Sequence, residues 1–149
     1  MAYIPRLVKK KLGEILQDGG FLKEEQIQNA LVTQQKEGKP LGEILVNLGY
    51  VKEQDIAYAL ARQYGLPYID ASRYVIQGDC RNLLPSKLML DHRFVVLDKI
   101  GKFLIIAIAG AIDPEMLEQV EQKSSSQICL YVSTSSQVLA ALKKYYSVE

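Results

Sequence analysis

The chain has 149 residues, 48% of them apolar and 23% charged, and its 18 Lys and Arg exceed its 17 Asp and Glu by one. That length holds one ordinary domain or two small ones, with the composition expected of a soluble globular protein. A formal net charge of +1 provides no global field for nucleic acid or an anionic membrane surface, and neither is an expected partner.

Residues 1–66 read as helices. LVKKKLGEILQDG places Leu7, Val8, Leu12, Ile15 and Leu16 at helical spacing, and Gly19-Gly20 stops the run. KEEQIQNALVTQQKEG follows, with Ile27, Ala30, Leu31 and Gln34 along one face, and Gly38 ends it. Its first turn is acidic, which suits the positive end of a helix dipole. After Lys39-Pro40 come a short helix, LGEILVNLG, and a longer one, KEQDIAYALARQYG, closed by Gly65.

The pattern changes from about residue 71. LLPSKLMLDHR reads as a short helix with Pro85 at its start. FVVLDKIGKFLIIAIAG reads as a hairpin turning on Asp98-Lys99-Ile100-Gly101, with Gly101 supplying positive φ. Asp113-Pro114 opens a helix as N-cap and first residue. ICLYV (128–132) is a third strand, and Ser133-Thr134 caps a last helix, SSQVLAALKKYY. The expected fold class is therefore α+β: a helical subdomain of two repeated helix hairpins at 1–70, then a small ββαβα subdomain at 71–149. The Gly- and Pro-bearing stretch YGLPYIDASRY (64–74) is the expected joint between them.

The helical half contains an internal repeat. Residues 11–34 align with 40–63 at an offset of 29, and half of the 24 positions are identical. The matched pairs are Leu12/Leu41, Gly13/Gly42, Glu14/Glu43, Ile15/Ile44, Leu16/Leu45, Gly20/Gly49, Lys23/Lys52, Glu24/Glu53, Ile27/Ile56, Ala30/Ala59, Leu31/Leu60 and Gln34/Gln63. Two copies are too few for a solenoid and predict two hairpins packed on each other. The Leu, Ile and Ala pairs are expected in the core. Gly20 and Gly49 are expected to end the first helix of each copy in the left-handed conformation. Lys23-Glu24 and Lys52-Glu53 are expected to open the next helix on its solvated side. Packing does not require the remaining matches. Gly13 and Gly42 sit at helix starts, where Gly costs up to about 1 kcal/mol against Ala. Either they permit close helix approach, or each Leu-Gly offers backbone N–H groups to a ligand. Gln34 and Gln63 are correspondingly either satisfied amides or ligand contacts.

The doubled phrase Leu-Gly-x-x-Leu, with a second Gly seven residues after the first and then Leu-x-x-Gln, resembles the N-terminal domain of type II secretion and type IV pilus assembly ATPases. The likeness covers the whole chain and includes the Asp-Pro after the hairpin and the closing Tyr-Tyr. It implies a non-catalytic module that docks a cytoplasmic ATPase on the cytoplasmic part of an inner-membrane secretion or pilus component. The implied partners are that component and an ATPase motor domain in cis or in trans. The implied location is cytoplasmic, peripheral to the inner membrane through those partners. In one branch of the family the doubled motif binds cyclic di-GMP, which implies an alternative role as a nucleotide sensor. The implied ligand residues are Lys11, Leu12, Gly13, Leu16, Gly20, Leu31 and Gln34 in the first copy, with Leu41, Gly42, Leu45, Gly49, Leu60 and Gln63 in the second. The binding branch opens each motif with Arg-Leu-Gly. Here Lys11 and Pro40 stand at the two Arg positions. Lys lacks the planar fork of Arg, and Pro lacks both charge and N–H. Losing one charge-assisted contact costs roughly 1.5–3 kcal/mol. Arg6, Lys9, Lys10 and Lys39 are the nearby cations available to compensate.

Other candidates point elsewhere. No GxxxxGK[ST] occurs, so these residues do not supply the family's ATPase chemistry, and the chain reads as a regulatory front end, either a fragment or a stand-alone protein. The longest apolar run, FLIIAIAGAI (103–112), is shorter than the roughly 20 residues of a bilayer span. The start, MAYIPRLVKKKLGE, has charges without the apolar core of a secretory signal. Cys80 and Cys129 lack metal-ligand spacing and read as two free buried thiols in a reducing compartment. His92 reads as a surface histidine, Ser124-Ser125-Ser126 as a loop, and one of Tyr145 and Tyr146 as an anchor for the last helix.

Overall fold

The computed structural model describes residues 11–146. Arg6, Leu7, Val8, Lys9 and Lys10, to which the sequence assigns the start of the first helix and part of the compensating charge, lie outside the described residues.

Four helices form the first half: α1 (Leu12–Asp18), α2 (Glu24–Glu37), α3 (Leu41–Asn47) and α4 (Glu53–Tyr64). The two copies terminate α1 and α3 in the same way. Gly20 N–H donates to Gln17 O and Phe21 N–H to Leu16 O; Gly49 N–H donates to Val46 O and Tyr50 N–H to Leu45 O. Gly20 and Gly49 have φ of +81° and +75°, so both ends are Schellman motifs that need a residue free of Cβ strain. At the starts of α2 and α4 the side chains of Gln26 and Asp55 accept from the backbone N–H of Lys23 and Lys52, at 2.9 and 3.0 Å. Each bond satisfies a donor that the helix itself leaves open.

The hairpins pack reciprocally. A Cβ on Gly13 would lie 3.4 Å from Ile27 of its own copy and 3.8 Å from Leu41 of the other. A Cβ on Gly42 would lie 3.5 Å from Ile56 and 3.3 Å from Leu12. The second pair of contacts is the first with the copies exchanged. Phe21 stacks edge-on against Tyr58 with ring centroids 6.1 Å apart. At the exchanged positions Asn29 donates to the Tyr50 hydroxyl at 3.4 Å. When residue i of one unit meets j of the other and the converse also holds, the units are related by a two-fold, here an approximate one inside a single chain. The glycines at 13 and 42 therefore lie where the two copies approach each other closely.

The second half contains α5 (Ser86–His92), β1 (Phe94–Ile100), β2 (Phe103–Ile108), α6 (Pro114–Ser124), β3 (Gln127–Val132) and α7 (Ser135–Tyr145). The sheet order is β1-β2-β3, with β1 antiparallel and β3 parallel to β2. The α+β class and the ββαβα order expected from sequence are both present. The hairpin turn is shorter than expected. Asp98, Lys99 and Ile100 belong to β1, and Ile100 pairs with Phe103 around Gly101-Lys102. Gly101 at φ +59° in the first of two loop positions gives the tight turn that matches strand twist. The extra strand length is accommodated by an irregularity between Val96 and Asp98, which leaves Leu97 fully buried. Asp113 caps α6 by accepting from Glu115 N–H at 3.1 Å. Thr134 caps α7, with Gln137 returning the bond to the Thr134 N–H. Tyr146 anchors the last helix through its hydroxyl, which donates to Val96 O at 2.6 Å.

The Ser124-Ser125-Ser126 segment, Cys129 and Leu31 depart from the sequence reading. Ser124-Ser125-Ser126 is not a free loop. Ser124 ends α6, Ser125 takes the left-handed C-cap, and Ser124 and Ser126 are buried with their hydroxyls bonded to Val120 O and Ser124 O. Cys80 is buried, and that burial raises its thiol pKa, but Cys129 is only half-buried. Leu31 is 38% exposed although its twin Leu60 is fully buried.

The joint is zipped to the sheet. Pro67 O accepts from Val132 N–H, and Ile69 N–H donates to Val132 O, so Tyr68 bridges in parallel beside the end of β3. Ile112 N–H donates to the Tyr64 hydroxyl at 3.1 Å, and Ala71 N–H to Ser133 Oγ at 3.2 Å. The buried side chains of both halves belong to one hydrophobic cluster.

Candidate functional site

A cleft of about 500 Å³ opens where the second repeat meets the α+β half. Its helical wall is Leu12, Pro40, Leu41, Gly42, Glu43, Val46 and Glu53. The opposite wall is Asp91, His92 and Arg93 at the end of α5, Ala109 to Ala111 after β2, and Ser133 to Ser136 at the start of α7. The Leu-Gly of the second copy thus fronts a cavity, and Leu12 of the first copy reaches it across the approximate two-fold.

Arg93 is the dominant cation of the cleft. It occupies the C-cap of α5 in the left-handed conformation, φ 54° and ψ 59°. A residue with a Cβ costs roughly 1 kcal/mol there, where Gly is usual. Its side chain is 12% exposed, and Nη2 lies 3.3 Å from Glu43 Oε2. Nε is buried and has no hydrogen-bond partner among the described residues. The strained backbone aims a largely desolvated guanidinium at the second repeat. Glu53 crosses the cleft to the N-terminus of α7, where it accepts from Ser136 N–H at 2.8 Å. The Ser136 hydroxyl lies 2.7 and 2.8 Å from the two Glu53 oxygens. Glu53 is therefore a helix-end anion, contrary to the solvated role expected for it. Asp91 turns to Lys87 at 2.8 Å, which holds its carboxyl below the usual range. His92 is exposed at the cleft wall. Three carboxylates thus border a cavity with one largely buried guanidinium, and Leu12, Leu41, Val46, Ile56 and Leu139 add apolar lining.

The ligand residues proposed from the sequence do not gather at one place. Leu12, Leu41 and Gly42 line this cleft. Lys11 is exposed at the start of α1, and Gly13 is buried behind Leu41. Leu16, Leu45 and Leu60 are fully buried in the core, and Gly20 and Gly49 are exposed at their turns. Leu31 is exposed on α2, and Gln34 donates to Lys39 O at 3.2 Å. Gln63 lines a smaller cavity of about 280 Å³ with Phe21, Tyr58 and Arg62. Lys39, a proposed substitute cation, pairs with Glu37 at 3.5 Å. Sequence reasoning missed Arg93, Glu43, Glu53 and Ser136 as cleft residues. The available signal was the retention of both Glu positions in the repeat. Among the described residues no three His, Cys, Asp or Glu side chains gather as a metal site, and no helix is long and apolar enough to cross a membrane.

Over 139 residues the chain is 31% identical to the type IV pilus assembly ATPase PilB of Thermus thermophilus, covering 92% of this chain and 16% of that protein. It is 26% identical to the PilB of Myxococcus xanthus, covering 92% of this chain and 24% of that protein. The chain therefore spans a quarter or less of the curated relatives it matches. Among solved structures, MshE with cdg is 30% identical, with a TM-score of 0.66 over 92% of this chain and 99% of that one. The N-terminal domain of XpsE, 21% identical with a TM-score of 0.67 over 91% of this chain and 94% of that one, shares the fold. That solved neighbour is itself an N-terminal domain. The MshEN domain profile matches residues 64–149, more than half of the chain, which belongs to the MshEN domain family.

Proposed function

We propose that this chain is the docking and regulatory domain of a type IV pilus assembly or type II secretion ATPase, and that it holds the motor on the cytoplasmic part of an inner-membrane component. The observation that carries this reading is the unequal burial of the repeats. Leu60 is fully buried on α4, a helix that touches β3, but on α2 Leu31 is 38% and Val32 54% exposed. The outer face of α2 thus keeps an apolar anchor that the described residues leave exposed, the kind of position a partner desolvates. The intact ATPase is tested against the cytoplasmic domain of its inner-membrane component by titration calorimetry. Leu31→Asp with Val32→Asp is expected to weaken binding by tenfold or more while leaving the melting temperature of the domain unchanged. Unaltered affinity removes α2 as the docking face.

A second reading has its own support. Cyclic di-GMP is a candidate ligand of the cleft, because a 30%-identical relative was solved with cdg and Leu12, Leu41 and Gly42 line a cavity of about 500 Å³ here. Pro40 and Lys11 make binding weaker than in an Arg-bearing motif. Calorimetric titration of the natural chain beside Lys11→Arg and Pro40→Arg tests this reading: affinity is expected to rise in the Arg variants, and no heat from any of them removes the nucleotide.

A further inference from the structure

The two electropositive groups of the cleft are already occupied by carboxylates of the second repeat. Arg93 Nη2 meets Glu43 at 3.3 Å, with its Nε buried and unpartnered among the described residues. The first turn of α7 meets Glu53 through the Ser136 N–H at 2.8 Å and the Ser136 hydroxyl at 2.7 Å. The matched residues of the first repeat do nothing comparable. Glu14 is exposed, and Glu24 accepts from Gln28 of its own helix at 2.9 Å. Identical residues at identical motif positions are thus tied across a cavity only in the copy that borders it.

A carboxylate offers a guanidinium and a helix N-terminus the same anionic oxygens that a phosphate offers. We propose that Glu43 and Glu53 are internal stand-ins for a phosphate-bearing ligand. They latch the second repeat to the α+β half, and a phosphodiester enters the cleft only by displacing them. The ligand's identity rests on the nucleotide reading above; the latch does not.

Cyclic di-GMP is titrated into the natural chain, the Glu43→Gln/Glu53→Gln variant and, as a control, the Glu14→Gln/Glu24→Gln variant. Hydrogen exchange of the Ser136 amide is followed in each without nucleotide. Glu43→Gln/Glu53→Gln is expected to bind about tenfold more tightly than the natural chain and to exchange at Ser136 about tenfold faster. Glu14→Gln/Glu24→Gln is expected to match the natural chain in both. An equal gain in affinity from the control variant assigns the effect to lost negative charge at large and overturns the proposal. Faster exchange with unchanged nucleotide affinity shows that the carboxylates do not compete, and also overturns it. If no protein takes up nucleotide, the nucleotide reading falls and exchange decides the latch: faster only in Glu43→Gln/Glu53→Gln upholds it, and equal rates end it. The single variants Glu43→Gln and Glu53→Gln are read in the same way should the double variant fail to fold.

Discussion

The two repeats share half of their residues and both contribute to the core, yet the second is tied to the α+β half at positions that the first leaves open. In the second copy Glu43 meets Arg93, Glu53 meets the start of α7, and Leu60 is fully buried. In the first copy Glu14 is exposed, Glu24 bonds within α2, and Leu31 is partly open. The substitutions follow the environments. Ala57 and Tyr64 are buried on α4, while Gln28 and Gln35 hold the matching places on α2 and are exposed. A duplicated phrase therefore supplies the same helices and turns twice, and the neighbour of each copy determines what its side chains do.

The largest test of this comparison is at the matched leucines. Leu60→Ala is expected to lower the unfolding free energy by about 2–4 kcal/mol, because a cavity opens beneath a fully buried side chain. Leu31→Ala is expected to stay within about 0.5 kcal/mol. Urea denaturation of both variants measures the difference, and equal losses would break the comparison.

A smaller contrast is expected at the matched glutamates. Glu43→Gln leaves the Arg93 guanidinium without its ion partner and is expected to cost about 1–2 kcal/mol, moderated by the solvent exposure of Glu43. Glu14→Gln is expected to cost nothing measurable in the same denaturation experiment. At the turns the copies are expected to agree instead. Gly20→Ala and Gly49→Ala each place a Cβ in a left-handed residue with open space around it, so the loss is conformational, about 1 kcal/mol in either copy. A clear inequality in their melting temperatures would show that the turns are not equivalent.

The smallest effect lies away from the repeats. The Tyr74 hydroxyl donates to Asp98 Oδ2 at 2.6 Å, and that bond raises its pKa to about 12 from 10.0. The folded value lies above the unfolded one, so the stabilisation is complete below pH 10 and fades as pH rises from 10 toward 12. Tyr74→Phe is expected to remove this alkaline component from a series of thermal melts, leaving the other slopes intact.

Much of the fold was legible because its signals are local. The Schellman glycines, the Asp113-Pro114 start and the Thr134 cap all act within a few residues of themselves, and each lies where the sequence places it. The hairpin turn was misplaced by the β-irregularity at Leu97, which lengthens β1 without altering its apolar alternation in any readable way. Of the candidate site, the repeat disclosed Leu12, Leu41 and Gly42. It could not disclose Arg93, which lies 50 residues from Glu43 in the chain.

The sequence by itself determined that there are two hairpins, where glycines end their helices, and that a sheet-bearing unit follows, since periodicity and turn chemistry depend only on near neighbours. Only the tertiary structure decided which of two identical glutamates becomes a tether and which of two identical leucines becomes core. The reason is connectivity. The second copy runs directly into the segment paired beside β3, so α4 is drawn onto the sheet and covered, and the outer face of α2 is left to water.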